Sequence, residues 1–220
     1  MCGRYSVTKP HEAMRQMFKI RGAVPDLEPR FNLAPSQDAP IVRLNTDGER
    51  ELAMLRWGLV PSWSKDPKPS YSTINARAET VAEKPTYRSA FKSRRCLVPA
   101  DGFYEWQKVG SRKQPWRITM KDDGLFAFAG LWERWERDGV IESFTIIVTE
   151  ANDLMKPIHD RMPVILDPAD YDEWLAPETN GAAAQALLRP FPPAHMRAYL
   201  ISTRVNSPRN DDPGVIAPTA

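Results

Sequence analysis

Four side chains in this sequence have the chemistry to handle a carbonyl group or a proton: Cys2, Asn75, Glu105 and His159. Cys2 directly follows the initiator methionine. Were Met1 removed, as aminopeptidases allow when the second residue is small, Cys2 would carry a free α-amine and a thiol on adjacent carbons. An α-amine titrates near ~7.7–8.0 and a lysine amine near ~10.4, so roughly a tenth or more of such α-amines are uncharged nucleophiles at neutral pH. An amine of this kind condenses with an aldehyde to a Schiff base. The neighbouring thiol can then add to the imine carbon and close a five-membered thiazolidine, which reverses slowly because two bonds must break. The plainer expectation is that Cys2 is a small apolar residue at the start of a strand.

The other three sit in short motifs. In "STINARAET", Asn75 and Arg77 are two residues apart and point to one side of an extended segment. An amide beside a guanidinium can hold a sugar oxygen and a phosphate together, although a loop asparagine and a surface arginine would read the same. In "PADGFYEWQ", Glu105 stands between Tyr104 and Trp106. A carboxylate among aromatics is a candidate for a raised pKa and proton transfer. The same letters also fit an alternating strand with Glu105 on an exposed face. In "KPIHDRMPVIL", His159 offers an imidazole, the natural proton shuttle near neutral pH. His11 falls on an expected helix and His195 in a proline-rich loop, where surface roles are expected. "RWGLVPSWSKDPKPSYS" interleaves Trp57, Trp63 and Tyr71 with Arg56, Lys65 and Lys68. Rings that stack on bases, mixed with cations that meet phosphates, are the ingredients of single-strand nucleic-acid binding.

Composition limits the classes. The 220 residues are 42% hydrophobic and 26% charged, with a net charge of +2. The apolar runs are too short to span a membrane, and the N-terminus lacks the pattern of a signal peptide. Two cysteines, Cys2 and Cys96, argue against a disulfide framework and for a reducing, cytoplasmic compartment. Three histidines and no C-x-x-C pair argue against a structural zinc site, and no cofactor or metal is expected. The charge is uneven. Residues 54–96 hold Arg56, Lys65, Lys68, Arg77, Lys84, Arg88, Lys92, Arg94 and Arg95 against Asp66, Glu79 and Glu83, whereas all the charges in 167–180 are acidic. One basic face turned to a polyanion would fit this distribution, as would a solvated surface with uneven charges.

The elements that must position these groups are mostly strands. "TKPHEAMRQMFKIRG" reads as a first helix, capped by Thr8 and ended by Gly22. "IVRLNTDGERELAML" reads as a hairpin around Asp47-Gly48. Residues 117–150 read as three strands with turns at Asp123-Gly124 and Asp138-Gly139, and "RAYLIST" as a late strand. Helices are expected at 87–92, 152–158, 168–175 and 182–188. The 21 prolines are scattered among apolar runs and mark fixed loops rather than disorder. The expectation is an α+β chain forming a single domain over residues 1–220, its antiparallel sheets making a barrel-like core with short peripheral helices.

The sequence "MCGR", followed in order by "FNLAPSQ", "RWGLVPSW", "NARAET", "PADGFYEW" and "HDRMPVIL", resembles the SRAP (SOS response-associated peptidase) family from Cys2 to about Val205. The resemblance implies the SRAP fold and a covalent crosslink to abasic sites in single-stranded DNA. By motif, Cys2 would attack the ring-opened abasic aldehyde, and Asn75 would contact the sugar. Glu105 would assist proton transfer, and His159 would act as acid or base in ring opening and crosslink formation or reversal. Arg4 and Arg77 would hold flanking phosphates. Trp57, Trp63 and Arg161 complete the implied DNA-binding set. Nothing in the sequence demands more than a monomer, and the resemblance further implies action in the cytoplasm and at the nucleoid, no membrane partner, and shielding of the lesion from β-elimination. The family name also carries peptidase activity. Two rivals stand beside this reading: a cysteine hydrolase pairing Cys2 with His159, and a DNA-binding module in which Cys2 is structural.

Overall fold

The computed structural model describes residues 2–67 and 71–219, with the side chain of Tyr71 excepted. Met1, Lys68 and the Tyr71 ring, which figured in the sequence reading, lie outside the described residues. The chain runs β1 (Tyr5–Val7), α1 (His11–Phe18), β2 (Arg30–Leu33), β3 (Asp38–Leu44) and β4 (Arg50–Trp57). The middle third holds β5 (Asn75–Arg77), α2 (Arg88–Ser93), β6 (Arg95–Ala100), β7 (Gly102–Val109) and β8 (Arg112–Met120). Two long strands follow, β9 (Phe126–Glu136) and β10 (Val140–Glu150), then β11 (Arg161–Pro163) and β12 (Ile165–Leu166). Finally come α3 (Tyr171–Leu175), α4 (Gly181–Ala186) and β13 (Met196–Leu200).

Five strands close on themselves in the order β10-β4-β3-β6-β9, with β9 pairing back to β10. Closure removes free edges from those strands. Strands β5 and β11 flank the C-terminal half of β10, and β12 pairs with β9. A second sheet, ordered β13-β8-β7-β1-β2, packs against this barrel. The only parallel pairings described are β10 with β4 and with β5. The expected α+β, mainly antiparallel, barrel-like core is therefore what forms.

Aromatic rings fill the seam between barrel and sheet. Tyr5 meets Trp57 at 5.1 Å and Phe128 at 5.8 Å, while Phe103 meets Phe128 at 5.9 Å. Trp57 in turn stacks on Phe144. Each buries a large apolar area, so the seam dominates local packing energy. Cys2 belongs to this same cluster and is fully buried.

The N-terminal strand is anchored by polar groups as well. Ser6 donates to Asp101 at 2.6 Å, and Asp101 meets the Arg117 guanidinium, which donates to Tyr199 at 2.7 Å. A Cβ at Gly102 would lie 2.8 Å from the Arg117 guanidinium, so any other residue there would have to displace that side chain from the network. Arg4 donates to Asn32 at 2.8 Å and to the Val205 carbonyl at 2.7 Å. These contacts hold β1, and with it Cys2, against β7.

Several local expectations are corrected. Thr8 does not cap α1; its hydroxyl and amide both go to Asp101, and Pro10 occupies the cap position. The helix ends earlier than Gly22, at a left-handed Lys19. Residues 152–158 form hydrogen-bonded turns rather than a helix: the Asn152 side chain accepts the Met155 amide as a helix cap would, but Pro157 has no N–H to carry the ladder on. The expected 168–175 helix divides into a 3-10 turn, Pro168–Asp170, and α3. The three strands expected from 117 to 150 do form, as β8, β9 and β10, and the turn at Asp123-Gly124 carries the chain from the second sheet to the barrel.

Candidate active site

Glu105 lies on β7 opposite Trp116 and is 2% exposed. The expectation of an exposed strand face fails because both faces of β7 are covered, one by the barrel and the other by the C-terminal segment around Val205 and Val215. Burial pushes the Glu105 carboxyl above its ordinary range, opposed by nearby positive charge that includes His159. The Cys2 thiol is also pushed up, first by burial and then by the negative charge of Glu105, while the Arg4 amide hydrogen-bonds to it and partly offsets this. Cys2, Glu105 and His159 are thus electrostatically linked although 157 positions separate the first from the last.

His159 is held by its own turn. Its Nδ1 accepts the Arg161 backbone N–H at 3.0 Å and stands 2.8 Å from an Asp160 oxygen. Nδ1 cannot both accept that N–H and donate a proton to the carboxylate, and Asp160 is largely exposed, where an ion pair contributes little. The backbone bond therefore sets the ring, leaving Nε2 to carry the proton of the neutral form. Glu105 and His159 line one open cavity of about 720 Å³, together with Trp106, Lys108, Lys113, Ile158 and Asn206. Trp106 is fixed there by donating to Asn206 at 2.7 Å. A different cavity of about 390 Å³, where His195 sits beside Met17, Met120 and Phe126, contains none of these groups.

Asn75 is on β5, in register with Ile146 of β10. Its Nδ2 donates weakly to the Ile146 carbonyl at 3.5 Å, and its buried Oδ1 has no hydrogen-bond partner among the described residues. An orphaned buried acceptor is costly unless a ligand or water satisfies it. Tyr87 fixes the local backbone by donating to the Asn75 carbonyl at 3.1 Å.

The expected DNA-contacting residues divide by exposure. Trp63 is 59% exposed, its Nε1 donating to the Pro85 carbonyl. Trp57 is 1% exposed, with its indole N–H donated to the Ile74 carbonyl at 3.0 Å. Trp57 is therefore corrected from a strand contact to a core residue lying behind the surface. Arg77 is exposed, and Arg161 pairs with Glu79. Burial would raise the Glu79 carboxyl, but Arg161 and Arg77 hold it below its usual range. Arg4 is partly buried, its guanidinium 6.0 Å from the Trp106 ring. Arg95 leaves the basic surface: it is buried and donates to the carbonyls of Phe91, Trp174 and Ala176.

Trp106, Lys108, Lys113 and Asn206 are site residues that sequence reasoning missed. A signal existed in "KVGSRK", where a two-residue Gly110-Ser111 loop closes a hairpin and brings the lysines together. Among the described residues no group of three or more histidine, cysteine or acidic side chains could hold a metal ion. None of the described helices is long and apolar enough to cross a membrane.

Fold and site define a barrel-and-sheet protein in which buried Cys2 is electrostatically linked to a carboxylate that shares an open cleft with an imidazole. Comparison with known proteins gives the lineage. The family model described as SOS response associated peptidase (SRAP) matches residues 1–208, and the chain belongs to that family. It is 44% identical over 222 residues to the abasic site processing protein YoqW of Bacillus subtilis (strain 168), covering 98% of this chain and 99% of that one. The abasic site processing protein HMCES of Xenopus tropicalis is 33% identical over 263 residues, covering 99% of this chain and 78% of its own. A crystal structure of a protein from Bacteroides thetaiotaomicron superposes with a TM-score of 0.89 at 29% identity, covering all of both chains.

Proposed function

We propose that the protein processes abasic sites in single-stranded DNA by forming a covalent crosslink through Cys2 once Met1 has been removed. The observation that carries this reading is the placement of Cys2 against buried Glu105, which shares its cleft with His159. The names of the relatives, abasic site processing proteins, supply the substrate class.

In the proposed reaction the Cys2 α-amine attacks the aldehyde carbon of the ring-opened deoxyribose. The carbonyl oxygen gains a proton, and the resulting hydroxyl leaves as water to give the imine. Glu105, holding its proton to higher pH than an ordinary carboxyl, is suited to donate it to that leaving hydroxyl. The Cys2 sulfur then adds to the imine carbon, its proton passing to the nitrogen, and the ring closes. Aldehyde and aminothiol combine with net loss of one water, and no oxidant or cofactor is needed. His159 would shuttle protons for sugar-ring opening and for the reverse reaction. The orphaned Asn75 Oδ1 offers an acceptor for a sugar hydroxyl. Arg4, Arg77 and Arg161 would meet phosphates, and exposed Trp63 a base. A protein acting in this way as a monomer would hold the lesion out of β-elimination.

The rival hydrolase reading uses the same cysteine as a thiolate. Burial and Glu105 both disfavour that thiolate, which weighs against it. Acetylation of the mature α-amine separates the two. Crosslinking to an abasic oligonucleotide should vanish on acetylation, whereas continued turnover of a peptide substrate by the acetylated protein would favour the hydrolase.

A further inference from the structure

The hairpin β7–β8 places two exposed lysines directly opposite one another. Lys108 and Lys113 are direct partners across it, followed outward by Val109 opposite Arg112. Directly opposed residues in an antiparallel pair have Cβ atoms about 5 Å apart, and like charges so placed are destabilising. Both lysines are exposed, and neither has an ion-pair partner among the described residues. Both line the cavity that holds Glu105 and His159. On strand alternation they share a face with Trp106, whereas Arg112 points to the opposite face.

We propose that Lys108 and Lys113 form a phosphate clamp at the mouth of the site, gripping the backbone of the DNA strand beside the lesion. The inference rests on the single-strand DNA reading above and adds to it a specific pair of contacts. A phosphate between two ammonium groups turns their repulsion into attraction to a shared anion. The clamp carries no sequence information, as befits a lesion that can occur anywhere. It sits at the mouth of the cavity that Glu105 also lines.

The test is a salt titration of binding to an abasic-free single-stranded oligonucleotide, with crosslinking to an abasic oligonucleotide measured in parallel. Each phosphate contact contributes about 0.7 to the slope of log affinity against log salt for single strands. The pair shares one phosphate, so the K108Q/K113Q variant should lose about 0.7 from that slope, equivalent to about a 2.6-fold flatter loss of affinity between about 50 and 200 mM salt. K108R/K113R should keep the parental slope, and R112Q, which removes one charge from the other face, should change it little. Thermal stability of K108Q/K113Q should equal or exceed the parent's, because the repulsion is gone. An unchanged slope in K108Q/K113Q, with parental crosslinking intact, overturns the clamp and leaves the reading of function standing. An equal loss in R112Q would also overturn it, since net charge and not the pair would then be responsible. A parent protein that neither binds nor crosslinks would overturn both.

Discussion

Replacing Glu105 with glutamine should slow the chemistry and stabilise the protein, and the two effects have one cause. Glu105 is 2% exposed, and burial holds its carboxyl above the ordinary value of 4.5. Proton transfer by a positioned side chain contributes about 10²–10⁴ in rate, or roughly 2.7–5.4 kcal/mol of barrier, and glutamine removes it while keeping the shape. The stability effect has the opposite sign. Because the folded carboxyl keeps its proton to higher pH than the unfolded one, the folded state binds more protons just above pH 4.5, and parental stability falls as pH rises through the folded titration point. E105Q lacks this loss. Its melting temperature relative to the parent should therefore climb above pH 4.5 and then level off, by about 2–4 °C for each kcal/mol recovered in a chain of this size. Quenched crosslinking time courses and thermal melts across pH measure both. A crosslinking rate within about threefold of the parent would remove Glu105 from proton transfer. A melting difference that does not vary with pH would show that burial does not disfavour its charge.

Three further outcomes follow from the same structure. C2S keeps the amine but offers oxygen, a poorer nucleophile, for ring closure; its adduct should reverse on heating and survive only after borohydride reduction, and a heat-stable unreduced adduct would contradict ring closure through sulfur. E79Q should release Arg161 toward a phosphate and tighten single-strand binding by up to about fivefold, as a half-exposed ion pair is worth at most about 1 kcal/mol; weaker binding in filter or anisotropy assays would show that Glu79 aids the site by orienting Arg161. W57A should cost about 3–5 kcal/mol of stability as a core truncation, whereas W63A should leave the melt unchanged and weaken single-strand binding by about 1–3 kcal/mol; the reverse pattern would undo the assignment of inner and outer tryptophans.

The two tryptophans show what sequence can and cannot reveal here. Trp57 and Trp63 read alike in "RWGLVPSW", and only the pairing of β4 with β10 puts one ring on Phe144 and leaves the other in solvent. The hairpins were legible because Asp47-Gly48 and Asp138-Gly139 are local turn signals flanked by apolar alternation. Closure of the barrel was not, since β10 reaches β4 in parallel across more than eighty residues and no local pattern records that. Glu105 was legible as a candidate through its aromatic neighbours. Its burial depended on the barrel core packing on the face of β7 that it shares with Phe103, which no reading of "DGFYEWQ" could supply. The turns at 152–158 were misread as helix although Pro157 blocks one, and the Arg161 backbone that sets the imidazole lies beyond them.

The central claim is a ring formed between Cys2 and an abasic aldehyde, and intact mass tests it most directly. The purified protein would be weighed alone and after incubation with an oligonucleotide carrying one abasic site, without reductant and after heating. The account predicts loss of Met1 and an adduct equal to protein plus DNA minus one water that survives the heat. Retained Met1 with no adduct would contradict it, and an adduct seen only after borohydride would reduce the chemistry to a transient Schiff base.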